Sequence, residues 1–261
     1  MTAKRRKKTV WLSSKFILPS VTTVAFFILW ETTTAVFEIP SFLVPAPSEV
    51  LVTTWVYRAP IWMHAYQTLF TTLVGLGVAV VIGIILGVAI GSSQKMYEAL
   101  NPLLVGFNSI PKVAFVPVFV LWFGIGTVPA ILTAIVISFF PIVVNVAAGL
   151  ATVEPELRDV LRSLGATRRD ILLKVGFPRS LPYFFAALKI SVTLAFVGSV
   201  LSETVASNKG IGYLMMSAST NLNMQLVFAG LIVTAVMGIA LYFAIDLFER
   251  RLLHWALRAN K

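Results

Sequence analysis

The sequence predicts an all-α polytopic membrane protein with six transmembrane helices and a hydrophilic loop inserted before the fifth. Three observations carry this reading. Of 261 residues, 58% are hydrophobic and only 12% charged, with a mean hydropathy of +0.89, more apolar surface than a soluble domain of this size can cover. Six apolar stretches, 16–37, 65–90, 97–123, 128–150, 183–206 and 224–248, reach the roughly 20 residues that a helix needs to cross a bilayer. Lysines and arginines also gather on one side of those stretches.

The chain opens on Lys4-Arg5-Arg6-Lys7-Lys8, within a basic N-terminal segment, 1–15, expected in the cytoplasm. The apolar run that follows is too long for the core of a signal peptide, and no small-residue cleavage site precedes Glu38-Ile39-Pro40, so 16–37 reads as an uncleaved first span. Residues 38–64 form an extracytoplasmic segment. Pro40, Pro45 and Pro47 forbid a continuous helix there, and Ser48 is placed to cap a short interfacial helix carrying Val50, Leu51 and Trp55. The core domain is expected at 65–248, with its cytoplasmic loop at 151–182, and a cytoplasmic tail at 249–261.

Within the core, the second span carries Gly75, Gly77, Gly83, Gly87 and Gly91, a stripe of small residues that lets another helix approach closely, either inside the chain or in a second copy. The third span contains Pro102, Pro111 and Pro117 and must bend or break. With the N-terminus inside, the inside face receives six basic residues before the first span, Lys95, those of the central loop, and four after Asp246; outside fall only Arg58 and Lys209. This bias predicts both termini in the cytoplasm.

The formal charge of +10 does not indicate nucleic acid, because the basic residues flank apolar spans instead of forming a patch with interleaved aromatics. The absence of cysteine removes disulfides and thiolate chemistry. His64 and His254 lie far apart with no ligand partner at motif spacing, so no metal site is expected.

The central loop begins with Glu154-Pro155-Glu156, acids and a proline suited to the first turn of a helix. Leu157, Val160, Leu161 and Leu164 then recur at helical spacing, opposite Arg158, Asp159 and Arg162. Gly165-Ala166 ends this helix, and Thr167 with Asp170 forms a capping box for a second, carrying Ile171, Leu172 and Val175. Pro178 and Pro182 are expected to close the loop and return the chain to the bilayer. Two placements fit the periodicity: an amphipathic hairpin on lipid headgroups, or a surface for a complementary protein groove, which the interspersed acids and arginines favour.

Gly165-Ala166 followed by Leu181-Pro182, ahead of the penultimate span, resembles the EAA coupling loop of bacterial ABC importer permeases. The likeness extends upstream to Ile110-Pro111-Lys112-Val113-Ala114-Phe115-Val116-Pro117 and Trp122-Phe123-Gly124-Ile125-Gly126. Downstream it takes in Ser202-Glu203, Gly210-Ile211-Gly212-Tyr213-Leu214 and the ending Glu249-Arg250-Arg251-Leu252-Leu253-His254-Trp255. Together these are similar to the nitrate/sulfonate/taurine subfamily, with Asp159-Val160-Leu161 standing where the family usually has Glu-Ala-Ala.

The resemblance implies a type I-like permease in the bacterial inner membrane that transports a small solute and is not itself an enzyme. No Gly-x4-Gly-Lys-Ser/Thr phosphate loop occurs in the chain, so no cofactor is expected on it; ATP and magnesium belong to a partner ATPase pair. The other implied partners are a substrate-binding protein, a second permease copy in a homodimer, and the lipid bilayer.

For ATPase coupling, the resemblance points to Glu156, Asp159, Arg162, Gly165, Ala166, Arg168, Leu181 and Pro182. Candidates for the path are Lys112, Glu203, Asn108 and Asn145, since intramembrane charges are costly. Against these stand a structural ion pair or snorkelling for the charges, and interhelical hydrogen bonds for the amides. Glu31 reads as a packing or interface residue; Tyr213, Met215 and Met216 face either the binding protein or the apolar interior. An ion-driven transporter and a non-transporting scaffold are the competing classes. The first predicts a mirrored second half, which the sequence lacks.

Overall fold

Where lipid surrounds helices, burying apolar side chains provides little drive for association, and close backbone approach takes its place. In the computed structural model, which describes residues 4–151 and 155–253, this requirement organises the bundle. The helices are α1 (Lys4–Val36), α2 (Pro47–Val56), α3 (Arg58–Gly91), α4 (Gln94–Asn108), α5 (Phe115–Phe123), α6 (Thr127–Ala151), α7 (Pro155–Ser163), α8 (Arg168–Ile171), α9 (Phe177–Ala206), α10 (Ile211–Thr220) and α11 (Met224–Leu252). Glu154 and His254 lie outside the described residues.

The glycine stripe of α3 packs inside the chain, on α6. A Cβ added at Gly75 would lie 2.6 Å from Ala134 Cβ, at Gly83 2.7 Å from Ile142 Cγ2, at Gly87 2.7 Å from Val146 Cβ, and at Gly91 2.7 Å from the Ala147 carbonyl. With Ala79, which is fully buried, small residues recur every fourth position along this seam. Gly77 is off it and meets nothing within 4 Å. On its other side α6 meets α9 in the same way, through Gly149 against Ser180 and Gly198 against Thr133 and Ile137. Ser191 on α9 adds a hydrogen bond to the Ser138 carbonyl of α6, at 2.8 Å.

Among the described residues, five helices are long and apolar enough to cross a membrane, and a bent pair makes a sixth. That pair is the expected third span, broken by 66° between Lys95–Asn108 and Lys112–Phe123. Pro111 supplies the break, and a 3-10 turn, Lys112–Ala114, joins the halves. The second span begins at Arg58, seven residues before the expected 65. Pro60 does not prevent this, because the first N–H groups of a helix have no intrahelical acceptor to lose.

Ser48 does not cap α2. Ala46 occupies the N-cap position, Pro47 opens the helix, and Glu49 accepts the Ala46 N–H at 3.4 Å. Ser48 instead donates its N–H and its hydroxyl to the Glu31 carboxylate of α1, at 3.0 and 2.7 Å, giving Glu31 an interhelical role. The expected interfacial helix is therefore tied in: Val50 is fully buried with Ile61, Ile211, Leu226 and Ala229, while Leu51 and Trp55 remain exposed.

The α3–α6 seam yields a paired prediction. Gly87→Leu is expected to cost about 3 kcal/mol of unfolding free energy through overpacking, whereas Gly77→Leu changes it by less than about 0.5 kcal/mol. Equilibrium unfolding of both variants in detergent micelles checks this.

Candidate functional site

The hydrophilic loop folds as two short helices joined by a tight turn. Helix α7 ends in a Schellman motif: the Gly165 N–H donates to the Arg162 carbonyl at 2.9 Å and the Ala166 N–H to the Leu161 carbonyl at 3.0 Å. Gly165 holds φ +87°, a conformation that an L side chain resists by about 1–2 kcal/mol. One residue later the expected capping box is present. The Asp170 N–H donates to Thr167 Oγ1 and the Thr167 N–H to Asp170 Oδ2, each at 3.2 Å. Lys174 pairs with Asp170 at 3.0 Å. Glu156 stands in the first turn of α7 and Arg168 opens α8; Asp159 and Arg162 pair across one turn at 3.6 Å, both exposed.

Among the described residues, the apolar stripe set around α7 is only partly covered, with Leu157 and Leu161 half-buried. Val160 is 56% and Leu164 77% exposed, while Ile171 on α8 is buried. The second helix is then anchored while the first presents its apolar edge outward.

Pro178 and Pro182 do not close the loop. A π-helical turn, Leu172–Gly176, joins α8 directly to α9, so the backbone is helical from Arg168 to Ala206. Pro178 falls in the first turn of α9, where the wider turn before it absorbs the missing donor. Leu181 and Pro182 lie inside α9, next to its tight crossing of α6 at Ser180 and Tyr183.

The candidate path residues do not form one constellation. Lys112 Nζ donates to the Asn108 carbonyl and side-chain oxygen at 3.1 and 2.8 Å and lies 5.5 Å from the Phe140 ring centroid. Asn145 donates to the Pro141 carbonyl of its own helix at 2.9 Å, so its hydrogen bond is intrahelical and not between helices. Glu203 is 1% exposed and accepts from Thr68 Oγ1 at 2.7 Å, from Thr71 Oγ1 at 3.3 Å and from the Gly212 N–H at 3.2 Å.

Sequence reading missed the partners of Glu203. Thr68, Thr71 and Ser199 are buried with it, and Thr71 and Ser199 share a short hydroxyl contact. A visible signal was the helical spacing of His64, Thr68 and Thr71 in an otherwise apolar span. The second missed cluster fastens α9 to α11. Lys189 bonds Asp246 at 2.6 Å and also contacts Glu249, and Arg250 Nε lies 2.7 Å from Asp246.

Comparison with known proteins gives a consistent picture. The family described as "Binding-protein-dependent transport system inner membrane component" matches residues 79–254. The chain is 30% identical to the formylaminopyrimidine transport permease protein ThiX of Halalkalibacterium halodurans, over 91% of this chain and 95% of that one. It is 29% identical to the taurine transport system permease protein TauC of Escherichia coli, over 96% and 94%. An inward facing structure of the MetNI methionine ABC transporter shares the fold, with a TM-score of 0.63 at 23% identity, over 76% of this chain and 96% of that one.

The ion cluster between α9 and α11 sets a second prediction. Lys189→Leu strands the half-buried Glu249 carboxylate and leaves Asp246 with Arg250 alone, and is expected to lower stability by about 2 kcal/mol, while Lys189→Arg retains most of it. Thermal unfolding of both variants in lipid nanodiscs measures the difference.

Proposed function

The chain belongs to the family of binding-protein-dependent transport inner membrane components and is a permease subunit of an ABC importer; on that premise we propose that α7 and α8 are its ATPase-coupling element. The observation that carries this is the uncovered apolar edge of α7, held by a Schellman turn and a capping box at the head of an unbroken helical run. A helix with that edge suits a groove in a cytosolic ATPase subunit, the amphipathic helix-in-groove mode. Gly165 and Ala166 set the angle between the two helices, Asp159 and Arg162 supply polar contacts at the groove rim, and Glu156 and Arg168 flank it. Leu181 and Pro182 carry the motion past α6. ATP binding and magnesium stay with the ATPase pair, and nucleotide shifts the population between inward- and outward-facing states.

The lysine and arginine bias supports both termini and the α7–α8 loop in the cytoplasm, with α10 toward the outside. There a substrate-binding protein delivers the solute. The permease functions as a homodimer whose path lies between the copies. Support comes from the bent α4–α5 pair, where Lys112 is half-buried, Asn108 exposed, and Pro111 breaks the backbone at membrane depth. Freed carbonyls and an ammonium group are tolerated there only beside protein or water. The names of relatives, a formylaminopyrimidine, a taurine and a nitrate permease among them, support a small polar solute, a sulfonate- or nitrate-like anion or a vitamin precursor.

Leu164→Asp and Gly165→Trp are both exposed changes, and both are expected to abolish solute uptake and co-purification of the ATPase while membrane insertion is unchanged. Uptake and ATPase recovery at wild-type levels in both variants would remove the coupling assignment.

A further inference from the structure

Three successive amides begin α10, and each donates to a side chain from a different turn of the bundle. The Gly210 N–H donates to His64 Nδ1 at 3.1 Å, the Ile211 N–H to Thr68 Oγ1 at 2.8 Å, and the Gly212 N–H to Glu203 Oε2 at 3.2 Å. These are donors that a helix start leaves without an intrahelical acceptor. Two come from α3 and one from α9, so the helix is capped by neighbouring helices and not by its own residues.

Thr68 connects the set, because its hydroxyl accepts from Ile211 while donating to Glu203 at 2.7 Å. The fit leaves no room for a side chain at Gly210 or Gly212. A Cβ at Gly210, where φ is +105°, would lie 2.1 Å from Glu203 Cδ, and a Cβ at Gly212 would lie 2.3 Å from the Val200 carbonyl.

Glu203 forms no ion pair among the described residues, and its carboxyl group is enclosed by hydroxyl and amide donors. A buried carboxyl group held in this way is costly unless its hydrogen bonds are made. Both of its oxygens are engaged within the chain, which suits fastening and leaves neither for a passing solute.

We infer that Glu203 is a positioning residue that fastens α10 to the end of α9, so that α10 moves with the helix whose other end leads from α7 and α8. The two ends of the Arg168–Ala206 run stand roughly 55 Å apart along the helix, and Glu203 delivers the displacement of that run to α10. This inference rests on the coupling role proposed above. The requirement is for acceptors and shape, not for charge. A glutamine at 203 keeps an oxygen for Thr68 and Gly212 and turns its NH2 to Thr71, whose hydroxyl has the Thr68 carbonyl at 3.0 Å as an alternative acceptor.

The test uses the full chain in lipid nanodiscs, with Glu203→Ala, Glu203→Gln and the isosteric Thr68→Val. Hydrogen–deuterium exchange is read by mass spectrometry over 210–220, with the α3–α6 seam as the internal control for folding. Exchange over 210–220 is expected to rise about tenfold or more in Glu203→Ala and Thr68→Val, and to stay near wild type in Glu203→Gln, with the seam protected in all three. In the complex assembled with its ATPase and binding protein, ATP-driven uptake is expected to follow the same order, lost in Ala and Val and retained in Gln.

Unchanged exchange over 210–220 in both Glu203→Ala and Thr68→Val overturns the fastening. Loosened exchange with wild-type uptake overturns the positioning role, and so does loss of uptake in Glu203→Gln with native exchange. Failure of the wild-type complex to couple uptake to ATP sinks the coupling role itself, a result told apart by the exchange measurement, which needs no partner.

Discussion

The unbroken helical run from Arg168 to Ala206 is the constraint on which the rest of the structure depends. Two prolines lie within it, and either would ordinarily kink or end a helix. The π-helical turn at Leu172–Gly176 and the placement of Pro178 in the first turn of α9 absorb its missing donor, and Pro182 lies inside α9 without ending it, so α8 and the membrane span form one helical body. In the mechanism proposed for this permease, a flexible joint at that point would dissipate any push on α7 before it reached the bilayer. The close crossing with α6 at Gly149 and Gly198 then guides the run along a fixed neighbour.

Polar groups secure α9 within the bundle near its middle and at one end. Near the middle of α9, Lys189 meets Asp246 and Glu249 of α11. At its C-terminal end Glu203 meets α3 and α10. In hydrocarbon an unsatisfied charge or donor costs several kcal/mol, so each cluster resists separation of its helices more firmly than apolar contact does. Between them α9 meets α6 through close-packed small residues and the Ser191 hydroxyl bond to the Ser138 carbonyl, which leaves α9 able to slide or rock on α6 only as a unit.

Much of this was legible in the sequence, for identifiable reasons. The spans follow from apolar length alone, and Pro111 announced the break in the third. The Gly165 terminus and the Thr167–Asp170 box depend on residues within a few positions of each other, and both stand where local chemistry places them. The misreadings involve partners distant in sequence. Ser48 has the chemistry of a helix cap, but Glu31, 17 residues away, competes for its donors and wins. Thr68 and Glu203 are 135 residues apart, and no local pattern connects them. Pro178 and Pro182 read as terminators because a π-helical turn leaves no periodic signal in so short a stretch. The path residues were chosen by residue type, and type alone does not distinguish an amide that bonds its own helix, as Asn145 does, from one that faces a cavity.

The central claim is that α7 is gripped by a protein partner as nucleotide turns over. A photoreactive benzoylphenylalanine at Leu164, the residue just past α7 and 77% exposed, tests it most directly in membranes containing the assembled transporter. The account predicts a covalent adduct with the ATPase subunit whose yield changes between ATP-bound and nucleotide-free states. Adducts with phospholipid alone, in the same yield in both states, would contradict it.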